Sequence, residues 1–466
     1  MIASRHQWIR YAVLLLVVIV AVALSATTTT ASETGEAKLK IGVAREIITP
    51  KLGGLFMGYG SDKPSTSVHD DLTVTALVLE YGNTKVVLMS VTVCLINNDL
   101  IEKLRTLCGN AADVPAANVI IAATHTHSGP STNDYDSNTG RDDGYCNEIF
   151  IPKCVAAATA AGKEMKPVTV GVATTKTLVG INRRQVQPNG TVTLGQNPWG
   201  PYDSEMTVIS FKGEDGKIIA NIVHCTAHAT SAGSNTEVTR DWPGVMVDRL
   251  EKESGGAITL FFNGTQGDVA PRMANGQSAG RGIIDVMEVG SLAGLDAVRA
   301  YKDIRVYRDE KLSVVTGEVK LPHAPIMSLE EAKSELAKLE AGPPGRWTGG
   351  LKKNLTGVIE LYAKGETGKS FFVYEQTLVK IGPVVLIPIP FEASSEISLR
   401  LRTYSKYGHP LALGCTNGSN SYLPTQEQIS RGGYEVERFR SAGPRPLADD
   451  ADTHIINQNL ALMEQF

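Results

Sequence analysis

The stretch that decides the fold covers residues 118–130 and reads Asn-Val-Ile-Ile-Ala-Ala-Thr-His-Thr-His-Ser-Gly-Pro. Its first half is an apolar run, which is typical of a buried strand. The run ends at Thr124, and a polar turn with a Gly-Pro pair follows. Because side chains alternate along a strand, we expect His125 and His127 to lie on one face, where two imidazoles can bind one metal ion. An ordinary pair of histidines at a strand end fits the same spacing.

A second motif of the same kind covers residues 221–230 and reads Asn-Ile-Val-His-Cys-Thr-Ala-His-Ala-Thr. An apolar strand again runs into a polar turn, and His228 there supplies a third nitrogen. Three protein ligands and one open position are the pattern of a catalytic zinc site. Four of the nine histidines lie in these two motifs, and this concentration favours a metal centre. We interpret His224 as a structural residue or as a hydrogen-bonding neighbour of a ligand.

Two later strand ends carry carboxylates. In residues 261–272, a glycine-rich loop contains Gly267, which permits close approach of the backbone to a ligand, and Asp268. Asp268 can orient a ligand, bind a cation or simply close an Asx turn. In residues 388–393, Glu392 follows a proline-rich strand end just before a helix. A helix cap and an oxygen ligand are both open there, and position alone favours the cap.

Composition places the chain among ordinary globular proteins. It has 466 residues, of which 42% are hydrophobic and 20% charged, so it can bury a large core. A net charge of −4 without a basic stripe excludes a nucleic-acid partner. Predicted strands and helices alternate throughout, which favours an α/β fold of mixed α+β layers, with a mixed sheet and flanking helices. Composition defines no oligomeric state.

The N-terminus has the pattern of a targeting segment. Arg5 and Arg10 precede an apolar run over residues 11–26, and small residues follow. We therefore expect a signal peptide over residues 1–31 and a secreted, periplasmic or cell-surface protein. An uncleaved membrane anchor is the alternative, although the run is shorter than the roughly 20 residues of a spanning helix. Residues 38–466 are expected to form one catalytic domain.

The periodicity of the remaining sequence predicts individual elements and one loop. Strands are expected at 39–49, 72–81, 86–93, 118–124, 206–211, 218–224, 257–263, 371–381 and 384–388. Helices are expected at 98–107, 148–163, 243–253, 284–301, 329–340, 394–404 and 452–464. The Gly/Pro-rich stretch 342–350 is expected to be a loop or lid. None of the six cysteines forms a CxxC pair, and we expect no disulfide scaffold, with Cys94 a buried free thiol.

Together these motifs resemble the N-terminal catalytic domain of the neutral/alkaline non-lysosomal ceramidase family. The resemblance extends over residues 41–440 and rests on motifs that occur in the family's order: 57–60 (MGYG), 124–130, 228–230, 267–271, 391–392 and 419–425. It implies a fold like that of this domain and a single Zn²⁺. The ligands that it implies are His125, His127, His228, Glu392 and Tyr422. The resemblance thus moves Glu392 from a helix cap to a metal ligand.

The resemblance also implies roles around the metal. Residues 182–184, Asn-Arg-Arg, resemble a family segment that lines the substrate cleft, so substrate-binding roles are implied for Asn182, Arg183, Arg184 and Gly267. Catalytic roles are implied for His127, Arg183, Asp268 and Tyr422. Two departures stand out: Ala270 occupies the position of a family serine, and the chain ends without room for the family's C-terminal β-sandwich domain. Ceramide as the substrate is therefore not implied.

Three functions are consistent with this pattern. The first is hydrolysis of an amide bond by metal-activated water, with Tyr422 donating to the oxyanion and Asp268 or Asp241 orienting a histidine or moving a proton. The second is zinc-dependent hydrolysis or elimination on a carbohydrate-derived or other small polar substrate, whose carboxylate pairs with Arg183 and Arg184. The third is a secreted, non-catalytic metal-binding protein. The expected partner is a small-molecule or lipid substrate, with membrane-surface association as a further hypothesis.

Overall fold

The computed structural model describes residues 37–59, 64–134, 140–273, 281–343 and 348–466. The expected signal peptide and Gly60 of the MGYG motif lie outside these ranges. Residues Lys38–Phe466 cluster into one compact unit. In the described part of the chain, no helix has the length and apolar character needed to cross a membrane.

The chain forms strands and helices in alternation. The strands are β1 Lys40–Ile47, β2 Ser67–Val68, β3 Thr73–Tyr81, β4 Thr84–Val91, β5 Val119–Ala123, β6 Lys166–Lys176, β7 Gly180–Val186, β8 Val192–Asn197, β9 Glu205–Gly213, β10 Ile218–Cys225, β11 Glu237–Val238, β12 Ile258–Asn263, β13 Val269–Pro271, β14 Leu312–Pro322, β15 Phe371–Ile381, β16 Val384–Pro388, β17 Glu392–Ala393, β18 His409–Leu413 and β19 Tyr422–Leu423. The helices are α1 Asn98–Ala112, α2 Ile151–Lys163, α3 Asp241–Glu253, α4 Ile283–Asp303, α5 Leu329–Ala341, α6 Thr348–Ala363, α7 Ser395–Tyr404, α8 Gln426–Arg431, α9 Tyr434–Arg440 and α10 Ala451–Met463. A short helical turn, Asp143–Tyr145, and a π-helical turn, Cys146–Phe150, lead into α2.

Two sheets lie at the centre of the fold. Eight strands form the main sheet in the order β12-β10-β9-β6-β1-β3-β4-β5, and four form the second in the order β14-β15-β16-β18. Strand β3 shows how the alternation of side chains builds the layers. Val74, Ala76 and Val78 face α1 and α2. Leu77 and Leu79 face the second sheet, whose Val379 belongs to the same core. The main sheet is therefore buried on both faces, so its strands are almost continuously apolar.

The fold class and most predicted elements agree with the structure. The sheets contain both parallel and antiparallel pairs, as a mixed α/β fold requires. The predicted hairpins at β3–β4, β9–β10 and β15–β16 are confirmed. Strands β6 to β8 were not predicted; β7 and β8 lack an apolar alternation, whereas β6 contains one at Val168, Val170 and Val172. The loop predicted over 342–350 is shorter than expected, since α6 begins at Thr348 and includes two glycines in its first turn.

The six cysteines are all buried and form no disulfide, as the sequence predicted. Cys146 and Cys154 lie on one continuous helical segment, in which they cannot meet. Cys94 has only 1% of its surface exposed, which confirms a buried free thiol.

Asn263 joins the ends of three strands. The amide nitrogen of its fully buried side chain donates to the carbonyl of Thr124 at 3.3 Å and to that of Ala227 at 2.8 Å, and its amide oxygen accepts from the backbone of Ala227 at 3.2 Å. Thr124 follows β5, Ala227 follows β10, and Asn263 ends β12. These bonds bring the two edge strands of the main sheet together just before the histidine motifs.

We expect Asn263→Asp to destabilise the protein by about 2–4 kcal/mol, because a carboxylate cannot donate to the two buried carbonyls and places unmatched acceptors against them. Chemical denaturation followed by circular dichroism measures the change. Asn189→Asp is the matched control, since Asn189 is exposed and its oxygen accepts from Thr191. Equal stability of the two variants would contradict the role given to Asn263.

Candidate metal centre

Five side chains that were predicted as ligands come from four separate parts of the chain and lie in one region of the fold. His125 and His127 follow β5, His228 follows β10, Glu392 begins β17 and Tyr422 begins β19. All except the partly exposed His127 are buried. Such a collection of nitrogen and oxygen donors inside a protein requires a compensating partner for the buried carboxylate.

Three of the distances between donor atoms match those around a metal ion. Glu392 Oε2 lies 3.3 Å from His125 Nε2 and 3.2 Å from His228 Nε2. His127 Nε2 lies 3.3 Å from His125 Nε2. Ligand atoms at roughly 2.0–2.1 Å from a tetrahedral zinc ion are separated by about 3.3 Å. These three separations match edges of such a tetrahedron. The compact group consists of His125, His228 and Glu392, and His127 approaches it through His125.

Backbone carbonyls orient two of the imidazoles. His125 Nδ1 lies 2.9 Å from the carbonyl oxygen of Cys94. His228 Nδ1 lies 2.8 Å from that of Gln266 and 2.9 Å from that of Val269. Each Nδ1–H therefore donates to the backbone, which leaves the Nε2 lone pair directed at the cluster. This arrangement of neighbours is typical of histidines that bind metals.

The two histidines of the HxH motif meet for a reason that the sequence did not supply. Strand β5 ends at Ala123, and His125 has φ +72°, in the left-handed region that non-glycine residues rarely adopt. Simple alternation along a strand therefore does not apply. The turn after β5 instead pairs with the motif that contains His228. Thr126 and Ala229 form an isolated β-bridge, and the His127 amide donates to the Ala229 carbonyl at 3.3 Å. Strained backbone of this kind costs of order 1–3 kcal/mol and is concentrated at functional sites.

The electrostatics of the cluster favour a bound cation. Burial, followed by the charge of Arg183, lowers the pKa of His228 to about 4, so its imidazole is neutral near pH 7. Burial would raise the pKa of Glu392, but His125 and His228 hold it well below its usual range. Burial would likewise lower the pKa of His125, but the acidic groups around it, Cys94 and Glu392 first, hold it well above. The cluster therefore attracts one positive charge, and a metal ion can supply it in place of the proton.

Gly58 and Tyr59 of the MGYG motif hold His127. Gly58 has φ +114°, and a Cβ atom at this position would lie 2.3 Å from His127 Nδ1. The Tyr59 ring packs edge-on against the His127 imidazole, with ring centroids 4.9 Å apart. The motif was recognised in the sequence, but this contact was not predicted. Only glycine leaves room for the imidazole here.

A short parallel ladder places the carboxylate and the phenol side by side. In the β17–β19 pair, Glu392 stands opposite Tyr422, and the Glu392 amide donates to the Ser421 carbonyl at 3.0 Å. Gly267 packs behind this ladder: its amide donates to the Ala393 carbonyl at 2.8 Å, and an added Cβ would lie 2.3 Å from the carbonyl oxygen of Glu392. Because Gly267 has no side chain, β17, which carries Glu392, can pack against it. The substrate-binding role of Gly267 remains a prediction.

The two arginines of the Asn-Arg-Arg segment share one carboxylate. Arg183 Nε donates to Glu435 Oε1 at 2.8 Å, and Arg184 Nη1 donates to Glu435 Oε2 at 2.7 Å. Arg183 also reaches the metal centre, with Nη1 3.1 Å from His228 Nε2 and Nη2 donating to the Tyr422 hydroxyl at 3.1 Å. The carboxylate that both arginines contact is therefore one from the chain itself. Arg183 adds a fixed positive charge to the edge of the centre, and Arg184 lies further away.

The remaining predicted residues surround the centre. Asp268 is buried and accepts from Ser395 N at 2.7 Å, Gln428 Nε2 at 2.7 Å and Asn182 Nδ2 at 3.3 Å. Burial raises the pKa of this carboxyl to about 6. Its main-chain oxygen also accepts from the Arg183 amide at 2.8 Å. Asp268 and Asn182 therefore contact the segment that carries Arg183, rather than the histidine cluster.

Three other residues from the sequence analysis contact the backbone or lie within a strand and do not contribute donors to the centre. Asp241 accepts from the amides of residues 231, 232 and 242, and so shapes the turn after the second motif. His224 Nε2 lies 3.0 Å from the Ala412 carbonyl oxygen, which agrees with a structural histidine. Ala270 is buried in β13 opposite Ile181. Two neighbours of the centre were missed: Glu435, which binds both arginines, and Cys415, whose Sγ lies 3.8 Å from His125 Nδ1. A lone acid in a short helix and a lone cysteine carry no sequence signal.

The fold and the buried histidine–carboxylate cluster together define a mixed α/β protein with a candidate metal centre. Comparison of the sequence with family profiles gives a match to "Neutral/alkaline non-lysosomal ceramidase, N-terminal" over residues 39–283. The match covers more than half of the chain, and the chain belongs to this family. Membership implies an amide hydrolase. No curated protein matches the sequence significantly.

Solved structures share the fold. A crystal structure of neutral ceramidase from Pseudomonas aeruginosa superposes with a TM-score of 0.70 at 19% identity, over 92% of this chain and 75% of that one. A ceramidase complexed with C2 gives a TM-score of 0.69 at 18% identity, over 92% of this chain and 76% of that one. At this level of identity the comparison establishes the architecture alone.

We expect Gly58→Ala to weaken metal binding by about 10-fold or more, because the added methyl group displaces the His127 imidazole. Titration with Zn²⁺ against a competing chelator measures the affinity. Gly53→Ala is the matched control: Gly53 also has a positive φ, +101°, but nothing lies within 4 Å of an added Cβ. An affinity that falls equally in both variants would show backbone strain rather than the imidazole contact to be the cause.

Proposed function

We propose that the protein is a zinc-dependent hydrolase that cleaves an amide, N-acyl bond with metal-activated water. The supporting observation is the meeting of His125, His228 and Glu392 at 3.2–3.3 Å, with His127 beside them and Tyr422 paired to Glu392. We assign all five as the residues that would hold the ion. Imidazole with carboxylate suits zinc, although other divalent metals accept the same donors.

The bound metal would supply Lewis acidity and a water whose pKa is lowered to roughly 7. The residues of the chain would orient the substrate and stabilise the charge that develops during the reaction. In the proposed reaction the water oxygen bonds to the carbonyl carbon, the C–N bond breaks, and the leaving nitrogen takes a proton. That proton comes from the attacking water, and His127, whose ring is the least buried of the three, is the ligand that a substrate can approach most readily.

Arg183 and Tyr422 are placed to stabilise the charge that develops on the carbonyl oxygen. The guanidinium of Arg183 contacts the Tyr422 hydroxyl at 3.1 Å, and Glu435 fixes it from behind. Preorganised donors in a buried site stabilise an oxyanion without reorganisation, which is worth about 10²–10³ in rate per donor. Asp268, Asn182 and Arg184 would act through the position of Arg183 and the strand that carries it.

This route requires no serine. Ala270 has no hydroxyl to attack the carbonyl, so a mechanism that passes through an acylated serine at this position is ruled out chemically. Direct attack by water needs only the metal centre and donors. The proposed route is therefore compatible with Ala270 at the position of the family serine.

We also propose that the protein is exported by its N-terminal segment and acts on a lipid or other small amide outside the cytoplasm. The amphiphilic cavity described below is compatible with such a substrate. Association with a membrane surface remains a hypothesis.

The test is activity on a panel of N-acyl amides before and after treatment with 1,10-phenanthroline. We expect hydrolysis that is lost on chelation and restored by Zn²⁺, and a fall of at least about 100-fold in kcat/KM for His127→Ala. His454→Ala is the control, since His454 lies on α10 and its ion pair with Asp450 is partly exposed. Full activity of the metal-free protein would overturn the proposal. Stoichiometric zinc without turnover of any amide would favour the non-catalytic alternative.

A further inference from the structure

A cavity of about 980 Å³ opens beside the metal centre. Tyr422 lines one part of it together with Phe391, the residue before Glu392. Phe372 and Phe439 extend this part as an apolar wall. A cavity of this volume lies within the range of small-molecule sites, in which a few polar groups set the orientation of the ligand.

Arg445 lines the same cavity and has no carboxylate partner in the described part of the chain. Its Nη1 donates to the Gly368 carbonyl at 2.9 Å and to Ser370 Oγ at 2.6 Å, both of them neutral acceptors. Its Nε–H is buried and has no acceptor. A guanidinium held in place by neutral groups keeps its full charge available to a ligand.

Two other features add positive potential to this cavity. Lys353 is exposed, lines the cavity and forms no ion pair with the described residues. Gly349 and Gly350 line it too, and they lie in the first turn of the 16-residue helix α6, whose N-terminus carries a partial positive charge. Neither feature would be enough alone, but both lie along the cavity that Arg445 lines.

Cationic side chains outnumber carboxylates along this cavity, which is lined by Arg438, Arg445 and Lys353 and by Asp134 and Glu360. Burial, followed by the charge of Arg445, lowers the pKa of His323, so that the imidazole is neutral at pH 7. The Asp134 carboxylate accepts from Asn97 Nδ2 at 2.6 Å and from the Arg141 amide at 3.0 Å. Glu360 also lines the cavity, and among the described residues no ion pair joins it to Arg445 or Lys353.

We propose that this cavity binds an amide substrate that carries a carboxylate at the far end of its apolar chain, as in an amide of a long-chain dicarboxylic acid. The carboxylate contacts Arg445 and Lys353, the apolar chain lies along Phe372 and Phe439, and the amide lies beside Tyr422. This inference rests on the proposed function for the position of the amide. It goes beyond that function in naming the charge of the substrate.

The test is calorimetric binding of two probes without an amide to the protein as purified: octyloxyacetate, which carries a carboxylate, and 2-(octyloxy)ethanol, its neutral counterpart. We expect the carboxylate to bind about 10-fold more tightly or better, because charge-assisted hydrogen bonds to Arg445 and Lys353 form only with the anion. The double variant R445Q/K353Q should lose this preference. The control R440Q/K352Q removes two neighbouring charges that do not line the cavity and should retain it.

The outcomes separate this inference from the proposed function. Equal binding of both probes, or a carboxylate preference that survives in R445Q/K353Q, overturns the inference; the second result would place the carboxylate on the metal instead. A preference lost in R445Q/K353Q and kept in the control supports it, even if no amide on the panel is hydrolysed. Hydrolysis of neutral amides alone, with no charge preference in binding, would leave the proposed function standing without this inference.

Discussion

The closure of the main sheet around Asn263 is the constraint on which the site depends. Strands β5 and β12 are opposite edges of an eight-stranded sheet, and a flat sheet would hold their ends far apart. The amide of Asn263 binds the backbone after β5 and after β10 at once, so the HxH motif and His228 emerge at the same place. These hydrogen bonds are buried, so breaking them would leave carbonyl groups without a donor in the interior of the protein. This cost holds the ends of the three strands rigidly in place. A metal site needs such stiffness, since its donors must keep a fixed separation.

A separate two-stranded ladder, β17–β19, contributes the oxygen donors. Glu392 and Tyr422 are thirty positions apart in the sequence, yet a two-residue parallel ladder sets them opposite each other. Gly267 lets the loop after β12 approach that ladder closely. The three imidazoles therefore follow strands of the main sheet, whereas the carboxylate and the phenol follow β16 and β18 of the second sheet. The centre forms only where the two layers meet, which joins metal binding to the folding of the whole unit.

The hydrogen-bonding partners of the arginines near the centre limit what each guanidinium can bind. One carboxylate, Glu435, neutralises part of the charge of both Arg183 and Arg184 and fixes them in place. Arg183 is left with donors toward the metal centre and Tyr422, which suits stabilisation of an oxyanion better than capture of a substrate carboxylate. Arg445, by contrast, is held by neutral acceptors along the cavity. These arginines therefore differ in their surroundings: Arg183 and Arg184 contact a carboxylate, whereas Arg445 contacts neutral acceptors.

The sequence by itself determined most of the elements and named the candidate donors. Apolar runs that end in polar turns located β5, β10 and β12, and the order of the motifs indicated the family and the five residues of the centre. These signals are local, since strand periodicity and turn residues depend on near neighbours. Tertiary structure alone decided how the donors meet. The left-handed turn at His125, the clamp at Asn263, the contact of Gly58 with His127 and the pairing of Arg183 with Glu435 all join residues that are distant in the chain or reverse an expected local conformation. A pattern of neighbouring residues carries no record of such contacts, because they arise only when separate segments are packed against one another.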